Sequence, residues 1–175
     1  AADRVAAVVA TSVAAARRAA ALVKDEYAPL PAVFSPAAAL AIDAPPLHPG
    51  GNLVGEFDHT DGVAPQPPVG SVVTTTVIGT QRLHHAAIEP HTCTAHFDSA
   101  GKLTIWSTCQ SVYGARTVVA DLLALPYNRV RVIKSPMGGS FGGKQEFILE
   151  PLVAYLATQV AGPVQLTLDR EECIA

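Results

Sequence analysis

The segment from Met137 to Gln145 (MGGSFGGKQ) holds the residue types best suited to binding a ligand. Four of the six residues from Gly138 to Gly143 are glycine, so the backbone can adopt positive φ angles and approach a ligand closely. Successive exposed N–H groups in such a loop form a concave anion site. The alternative interpretation is a tight strand-to-helix connection that binds nothing.

Two nucleotide-binding motifs resemble this segment without matching it. Gly138, four further residues and Gly143-Lys144 fit the start of a P-loop. The next position needs a Ser or Thr hydroxyl for Mg²⁺, and here it is Gln145. The dinucleotide fingerprint G-x-G-x-x-G fails because Ser140 replaces its second glycine. The sequence therefore argues against binding of a nucleoside triphosphate or a dinucleotide at this loop.

The loop GGSFGGKQ is similar to the glycine–phenylalanine loop of the xanthine dehydrogenase, aldehyde oxidase and carbon monoxide dehydrogenase family of molybdenum hydroxylases. Other segments resemble this family in the same order and spacing, and the resemblance covers residues 71–175. The first 43 residues more weakly resemble the last part of the family's α/β hammerhead domain. The supporting segments are IEPHTCTAHFD (88–98), STCQS (107–111), LPYNRVRVIKSPMGG (125–139) and PVQLTLDREE (163–172).

The resemblance implies a molybdenum–molybdopterin cofactor beside the loop. Phe141 and the neighbouring backbone N–H groups, including those of Gly139 and Gly142, would face the metal and its ligands. Gln110 matches a family glutamine whose amide approaches the metal's oxo ligand. Phe141 would also wall the substrate pocket. Without the resemblance, Phe141 reads as a core residue that pins the loop, and Gln110 as a cap of the following helix.

Gln145 departs from the family pattern. The resemblance implies that this position contacts the substrate, and xanthine-oxidising members usually carry a glutamate there. An uncharged glutamine can donate to and accept from a ring nitrogen or a carbonyl group. It therefore favours a purine- or nicotinate-like N-heterocycle over aldehydes.

The family hydroxylates an electron-poor carbon with water as the oxygen source. Its electrons leave through iron–sulfur clusters to FAD on partner domains or subunits. The resemblance places the base glutamate beyond residue 175, so we expect no catalytic residue in this chain. The chain would be a fragment or a split subunit, inactive alone, with the cytosine dinucleotide form of the cofactor if bacterial. Alternatives are an aldehyde- or carbon-monoxide-type member and a non-catalytic structural or assembly subunit.

Other polar residues carry weaker signals. His84, His85, His91 and Cys93 suggest zinc, but no compact pair such as CxxC supports it. We expect these to be strand residues packed against neighbours. Glu146 and Glu150 are read as solvated or helix-capping carboxylates, and Cys109 is not expected to be a metal ligand.

Hydrophobic periodicity predicts the elements that would position the loop. We expect helices over residues 13–25 and 111–123 and from near Pro151 to Gly162, with a turn at 98–101. Residues 44–70 hold six of the fourteen prolines and read as a linker. The strand predictions cover residues 4–10, 71–78, 91–97, 103–108, 129–134 and 163–168.

The fold class is therefore predicted as α+β. Residues 1–43 would form part of a hammerhead-like domain, and 44–70 the Pro/Gly-rich linker. Residues 71–175 would form the first part of a mixed β-rich molybdopterin-binding domain.

The composition narrows the function classes. Charged residues make up 15% and the net charge is −3, without a basic block, so nucleic-acid binding is not expected. No apolar run reaches the length of a membrane span. Three widely spaced cysteines indicate a reducing compartment, and we expect the cytoplasm.

Overall fold

The computed structural model of the protein describes residues 4–63 and 66–174. Their contacts form two compact units. One takes in the described residues up to Val23 together with those from Thr80 onward, and the other runs from Lys24 to Gly79. The boundaries predicted at residues 43 and 70 stay a prediction, as does the hammerhead-like identity of the first segment.

The part of the chain before residue 80 has little regular structure. Helix α1 spans Val13–Ala20, with the Ser12 hydroxyl accepting from the Ala15 N–H, and a short helix α2 spans Pro36–Ala39. The helix predicted over 13–25 therefore ends early. It buries none of its residues, and a short helix without a packed face is marginal in water.

The strands predicted over residues 4–10 and 71–78 are not formed. Among the described residues, no other segment pairs with either of them in a sheet. A strand persists only where a neighbouring backbone takes up its N–H and C=O groups. The β-branched composition of 71–78 indicated strand propensity, but propensity alone does not supply a partner.

The larger unit contains a four-stranded mixed sheet in the order β3-β2-β1-β4. Strands β1 and β2 form the predicted hairpin; β3 lies parallel to β2, and β4 lies antiparallel to β1. The turn at 98–101 is held by the Asp98 carboxylate, which accepts from the N–H groups of Ala100 and Lys102. The strands are β1 (Thr92–Phe97), β2 (Leu103–Ser107), β3 (Val130–Lys134) and β4 (Val164–Thr167).

Besides α1, three helices of this unit follow the first strands. Helix α3 (Val112–Leu122) and a 3₁₀ turn (Tyr127–Arg129) connect β2 to β3, and α4 (Glu150–Gln159) connects β3 to β4. Helix α5 (Arg170–Ile174) follows β4. The predicted helices over 111–123 and from near Pro151 are thus confirmed. No helix in the described part of the chain has both the length and the apolar character needed to cross a membrane.

The core lies between the sheet and helices α3 and α4. On β2, Leu103, Ile105 and Ser107 are buried, following the alternation of a strand with one covered face. Val119 of α3 and Val153 of α4 pack against this face and are fully buried. The α+β prediction is therefore confirmed as a mixed sheet covered by two helices.

Neighbouring valines of α3 test this packing. Val119 is fully buried, whereas Val118 is 41% exposed. We expect Val119→Ala to lower the free energy of unfolding by roughly 2 kcal/mol, because it removes two buried methyl groups. Val118→Ala is the matched control, since the intrinsic helix propensity changes equally in both. Chemical denaturation of the two variants compares them, and equal losses would contradict the described core.

Candidate functional site

The glycine loop lies between β3 and α4 with an unusual backbone. Gly139 and Gly142 have φ angles of +100° and +89°, and Phe141 between them has +52°. A positive φ at a bulky residue costs about 1–3 kcal/mol and persists only where its surroundings hold it. The Phe141 side chain is 76% exposed, so Phe141 is not the core residue of the alternative interpretation.

The middle of the loop presents a row of free donors. Within residues 4–63 and 66–174, the N–H groups of Gly139, Ser140, Phe141 and Gly142 donate no hydrogen bond. Three of these four residues have positive φ angles, and the donors lie on a partly exposed turn, the kind of backbone that can form an anion site. Such a row suits a ligand rich in acceptor oxygens, and the predicted cofactor is a ligand of this kind.

Both ends of the loop are fastened to the lead-in segment, which we define as residues 87–91, just before β1. At the start of the loop, the Gly138 N–H donates to the Glu89 carboxylate at 2.8 Å. The Glu89 N–H donates back to the Gly138 carbonyl oxygen at 3.2 Å. At the far end, His91 Nε2 lies 2.8 Å from the Gly143 carbonyl oxygen and donates to it.

Gln110, three residues after β2, is joined to the same loop. Its backbone N–H donates to the Lys144 carbonyl oxygen at 2.9 Å, and its side-chain carbonyl accepts from the Lys144 N–H at 3.3 Å. Gln110 is not the helix cap, because the Ser111 hydroxyl caps α3 through the Gly114 N–H. The structure thus joins Gln110 to the end of the loop that contains Phe141. That both residues face a metal stays a prediction.

The side chain of Lys144 is engaged by Glu89. Its side chain is 2% exposed, and its ammonium lies 2.6 Å from the Glu89 carboxylate. Burial alone would raise the pKa of Glu89. The hydrogen bonds from Lys144 and Gly138 outweigh it, so the pKa lies below its ordinary value. The lysine of a P-loop reaches into the loop toward a phosphate, and Lys144 is already committed elsewhere.

Gln145 lies beside the loop with an exposed side chain. Its backbone N–H donates to the Gly142 carbonyl oxygen at 3.1 Å. Within the described residues, its side-chain amide forms no hydrogen bond. The amide can therefore be offered to a ligand, although the structure does not join it to Gln110 or Phe141 directly.

The sequence did not predict the buried polar cluster of Ser107, Cys109 and Glu150 that lies close to Gln110. The Ser107 hydroxyl donates to the Glu150 carboxylate and accepts from the Cys109 N–H. Glu150 is buried at the first position of α4, so of the two roles expected for it the solvated one is wrong, and it lies at the helix N-terminus instead. The helix N-terminus and the Ser107 hydroxyl both stabilise this carboxylate. Glu146, in contrast, is exposed.

Glu89 and His91 were also missed as supporting residues. The sequence offered only a modest signal for this role, namely a carboxylate and an imidazole two residues apart and directly before a strand. His84 and His85 are exposed, and Cys93 is buried in the core. Across residues 4–63 and 66–174, no three His, Cys, Asp or Glu side chains are grouped closely enough to hold a metal ion.

Comparison with known proteins decides the family. The model of the molybdopterin cofactor-binding domain matches residues 59–175. The chain belongs to this molybdopterin-binding family. The motif resemblance is thereby confirmed, and this molybdopterin-binding chain is also similar over nearly its whole length to curated members.

The xanthine dehydrogenase molybdenum-binding subunit of Escherichia coli O157:H7 is 38% identical over 173 residues, which cover 98% of this chain and 23% of that subunit. The nicotinate dehydrogenase large molybdopterin subunit of Eubacterium barkeri is 34% identical, covering 84% and 35%. The aldehyde oxidoreductase of Desulfovibrio gigas superimposes with a TM-score of 0.75 at 32% identity, covering 94% of this chain and 18% of that one. The chain thus spans about a quarter of the xanthine dehydrogenase subunit it matches.

Thiol reactivity tests the burial of the polar cluster. Burial raises the pKa of the Cys93 thiol, and the nearby Glu150 carboxylate raises it further. Burial also raises the pKa of Cys109, so both remain protonated at pH 8. We expect iodoacetamide to modify neither in the native protein and both after denaturation, read by peptide mass spectrometry. Rapid native labelling of Cys109 would show that the backbone leading to Gln110 is open to solvent.

Proposed function

We propose that this molybdopterin-binding chain supplies part of the molybdenum site of a hydroxylase that oxidises an N-heterocycle, with water as the oxygen source. The observation that carries the proposal is the two-way hydrogen bonding between Gln110 and Lys144. It brings a side-chain amide to the loop that exposes Phe141 and four free N–H groups. Relatives that carry the names xanthine dehydrogenase and nicotinate dehydrogenase support a heterocycle.

The residues present fit the cofactor. The N–H groups of Gly139, Phe141 and Gly142 would hold its oxygen ligands, and the Gln110 –NH₂ would donate to an oxo group. Preorganised donors of this kind stabilise charge without reorganising during the reaction. The exposed Phe141 ring would form an apolar wall that excludes water and orients a flat substrate. The bound cofactor supplies the two-electron redox chemistry.

Other parts of the enzyme are proposed to lie outside this chain. The proton acceptor would be a glutamate beyond residue 175, and iron–sulfur and FAD partners would carry the electrons away. We propose the cytosine dinucleotide form of the cofactor and a cytoplasmic location. Residues 1–43 would belong to a hammerhead-like domain, 44–70 to a linker and 71–175 to the first part of the molybdopterin-binding domain.

An aldehyde-oxidising enzyme is the second candidate. The aldehyde oxidoreductase fold of Desulfovibrio gigas superimposes well, and the curated aldehyde oxidoreductase subunit PaoC of Escherichia coli K12 is 36% identical. Gln145 favours the heterocycle, because its exposed amide can form paired hydrogen bonds with a ring nitrogen and a carbonyl group. An aldehyde offers only one acceptor oxygen for the same amide.

Two measurements test the proposed function: the molybdenum content of the complex and the effect of removing the Gln110 amide. The complete complex should contain molybdenum in a fixed ratio to this chain, measured by mass spectrometry of the metal. We expect Gln110→Ala to lower kcat for heterocycle hydroxylation roughly 100-fold, the usual effect of removing one preorganised donor. Gln159→Ala, an exposed glutamine at the end of α4, is the control. An intact complex without molybdenum, prepared from cells that make the cofactor, would contradict the proposal.

Substrate choice depends on Gln145. We expect Gln145→Ala to raise KM for a purine or nicotinate about tenfold, since one hydrogen-bonding group contributes roughly 1–1.5 kcal/mol. Turnover of an aromatic aldehyde should change little, so the ratio of kcat/KM for the two substrate classes is the quantity to measure. If Gln145→Ala lowers both activities equally, Gln145 does not take part in substrate recognition.

A further inference from the structure

We propose that Glu89 and Lys144 are a positioning pair that holds the glycine loop in the conformation that presents Phe141 and its neighbouring N–H groups. The inference deepens the proposed function and rests on it for the identity of the ligand. The positioning itself concerns only residues of this chain and can be measured separately from catalysis.

One carboxylate oxygen joins the two ends of the loop. Glu89 Oε2 accepts from the Gly138 N–H at 2.8 Å and from the Lys144 ammonium at 2.6 Å. These two donors flank the five residues from Gly139 to Gly143. A single acceptor shared by both ends limits how far apart they can lie and therefore limits the backbone shapes open to the residues between them.

The middle of the loop is a turn around Phe141 and Gly142, closed by the Gly143 N–H, which donates to the Ser140 carbonyl oxygen at 2.8 Å. Phe141 adopts a positive φ, and its side chain is largely exposed, so packing does not hold the ring. Within the described residues, the N–H groups from Gly139 to Gly142 form no hydrogen bonds, and only the Gly143 and Gln145 N–H groups bond back within the loop. The local bonds shape the turn, and its position depends on what contacts it, namely the two ends of the loop and the His85 ring beside Gly142 and Gly143.

Glu89 is itself held in place. The Arg170 guanidinium donates to the carbonyl oxygens of Ala87 at 2.8 Å and Ile88 at 2.6 Å, immediately before Glu89. On the other side, His91 contacts Gly143 and leads into β1. The lead-in segment is thus fastened to α5, to the loop and to the sheet, so the Glu89 carboxylate forms a fixed point.

Close packing leaves little freedom at the start of the loop. A Cβ atom built on Gly138 would lie 2.8 Å from the Glu89 Cβ, closer than two carbons can approach. The loop backbone therefore rests directly against the Glu89 side chain. Lys144 is almost fully buried beside the Glu89 carboxylate, and removal of that carboxylate would leave a buried ammonium without a partner.

Hydrogen exchange of the intact complex tests the pair. Three variants disturb the pair. Glu89→Ala removes both contacts, and Glu89→Gln keeps an acceptor for Gly138. Lys144→Met removes the charge but fills a similar space. Lys144→Arg is the conservative variant, and Glu171→Gln, an exposed carboxylate of α5, is the charge-matched control. Exchange is followed by mass spectrometry in peptides covering the loop and, separately, β1 and β2.

We expect loop amides to exchange at least tenfold faster in Glu89→Ala and Lys144→Met, with β1 and β2 unchanged. Lys144→Arg should restore much of the protection, and Glu89→Gln should lie between wild type and Glu89→Ala. In the molybdenum-loaded complex, kcat should fall more than tenfold in Glu89→Ala, and the electron paramagnetic resonance signal of the reduced metal should change. The control should resemble wild type in every measurement.

Wild-type loop exchange in both Glu89→Ala and Lys144→Met would overturn the inference. Equal loosening of the loop and of β1 and β2 would also overturn it, because the pair would then stabilise the whole unit. If Glu89→Ala does not fold, Glu89→Gln and Lys144→Met decide by the same criterion. A wild-type complex without molybdenum would refute the proposed function, while the exchange result would still decide the role of the pair.

Discussion

Two hydrogen bonds between Gln110 and Lys144 join the end of β2 to the end of the glycine loop. Everything proposed for the site depends on them, because they bring a side-chain amide next to a loop that is distant in sequence. The Ser107 hydroxyl, bonded to Glu150, accepts from the Cys109 N–H and so steadies the backbone just before Gln110. Gln110 thus lies in a short connection between β2 and α3 that is fastened on both sides.

The order of the strands in the sheet makes this part of the structure rigid. Strand β2 lies between β1 and β3, so its end is fixed on both sides. The lead-in to β1 and the loop after β3 leave neighbouring parts of the same sheet, and their contacts at Gly138 and Gly143 follow from that arrangement. Rigid elements beneath a strained loop are what a preorganised site requires. The exposed Phe141 ring lies on the part of the strained loop that a ligand can reach.

The sequence predicted the hairpin, both core helices and the family, because local patterns and specific motifs carry this information. It did not reveal Glu89, His91 or Glu150 as supporting residues, since their roles depend on contacts across about 40–55 positions in the chain. The strands expected at 4–10 and 71–78 were wrong for a related reason. Periodicity reports what a strand would bury, whereas pairing depends on a partner that periodicity does not identify.

The central claim is that Gln110 and the Phe141 loop face one molybdenum centre. The most direct measurement is an anomalous difference map of the crystallised complex, recorded above and below the molybdenum absorption edge. The account predicts one molybdenum peak over the exposed middle of the loop, with the Gln110 amide within about 3 Å of an oxygen ligand. A molybdenum peak remote from the loop, with Gln110 and Phe141 facing other protein, would contradict it.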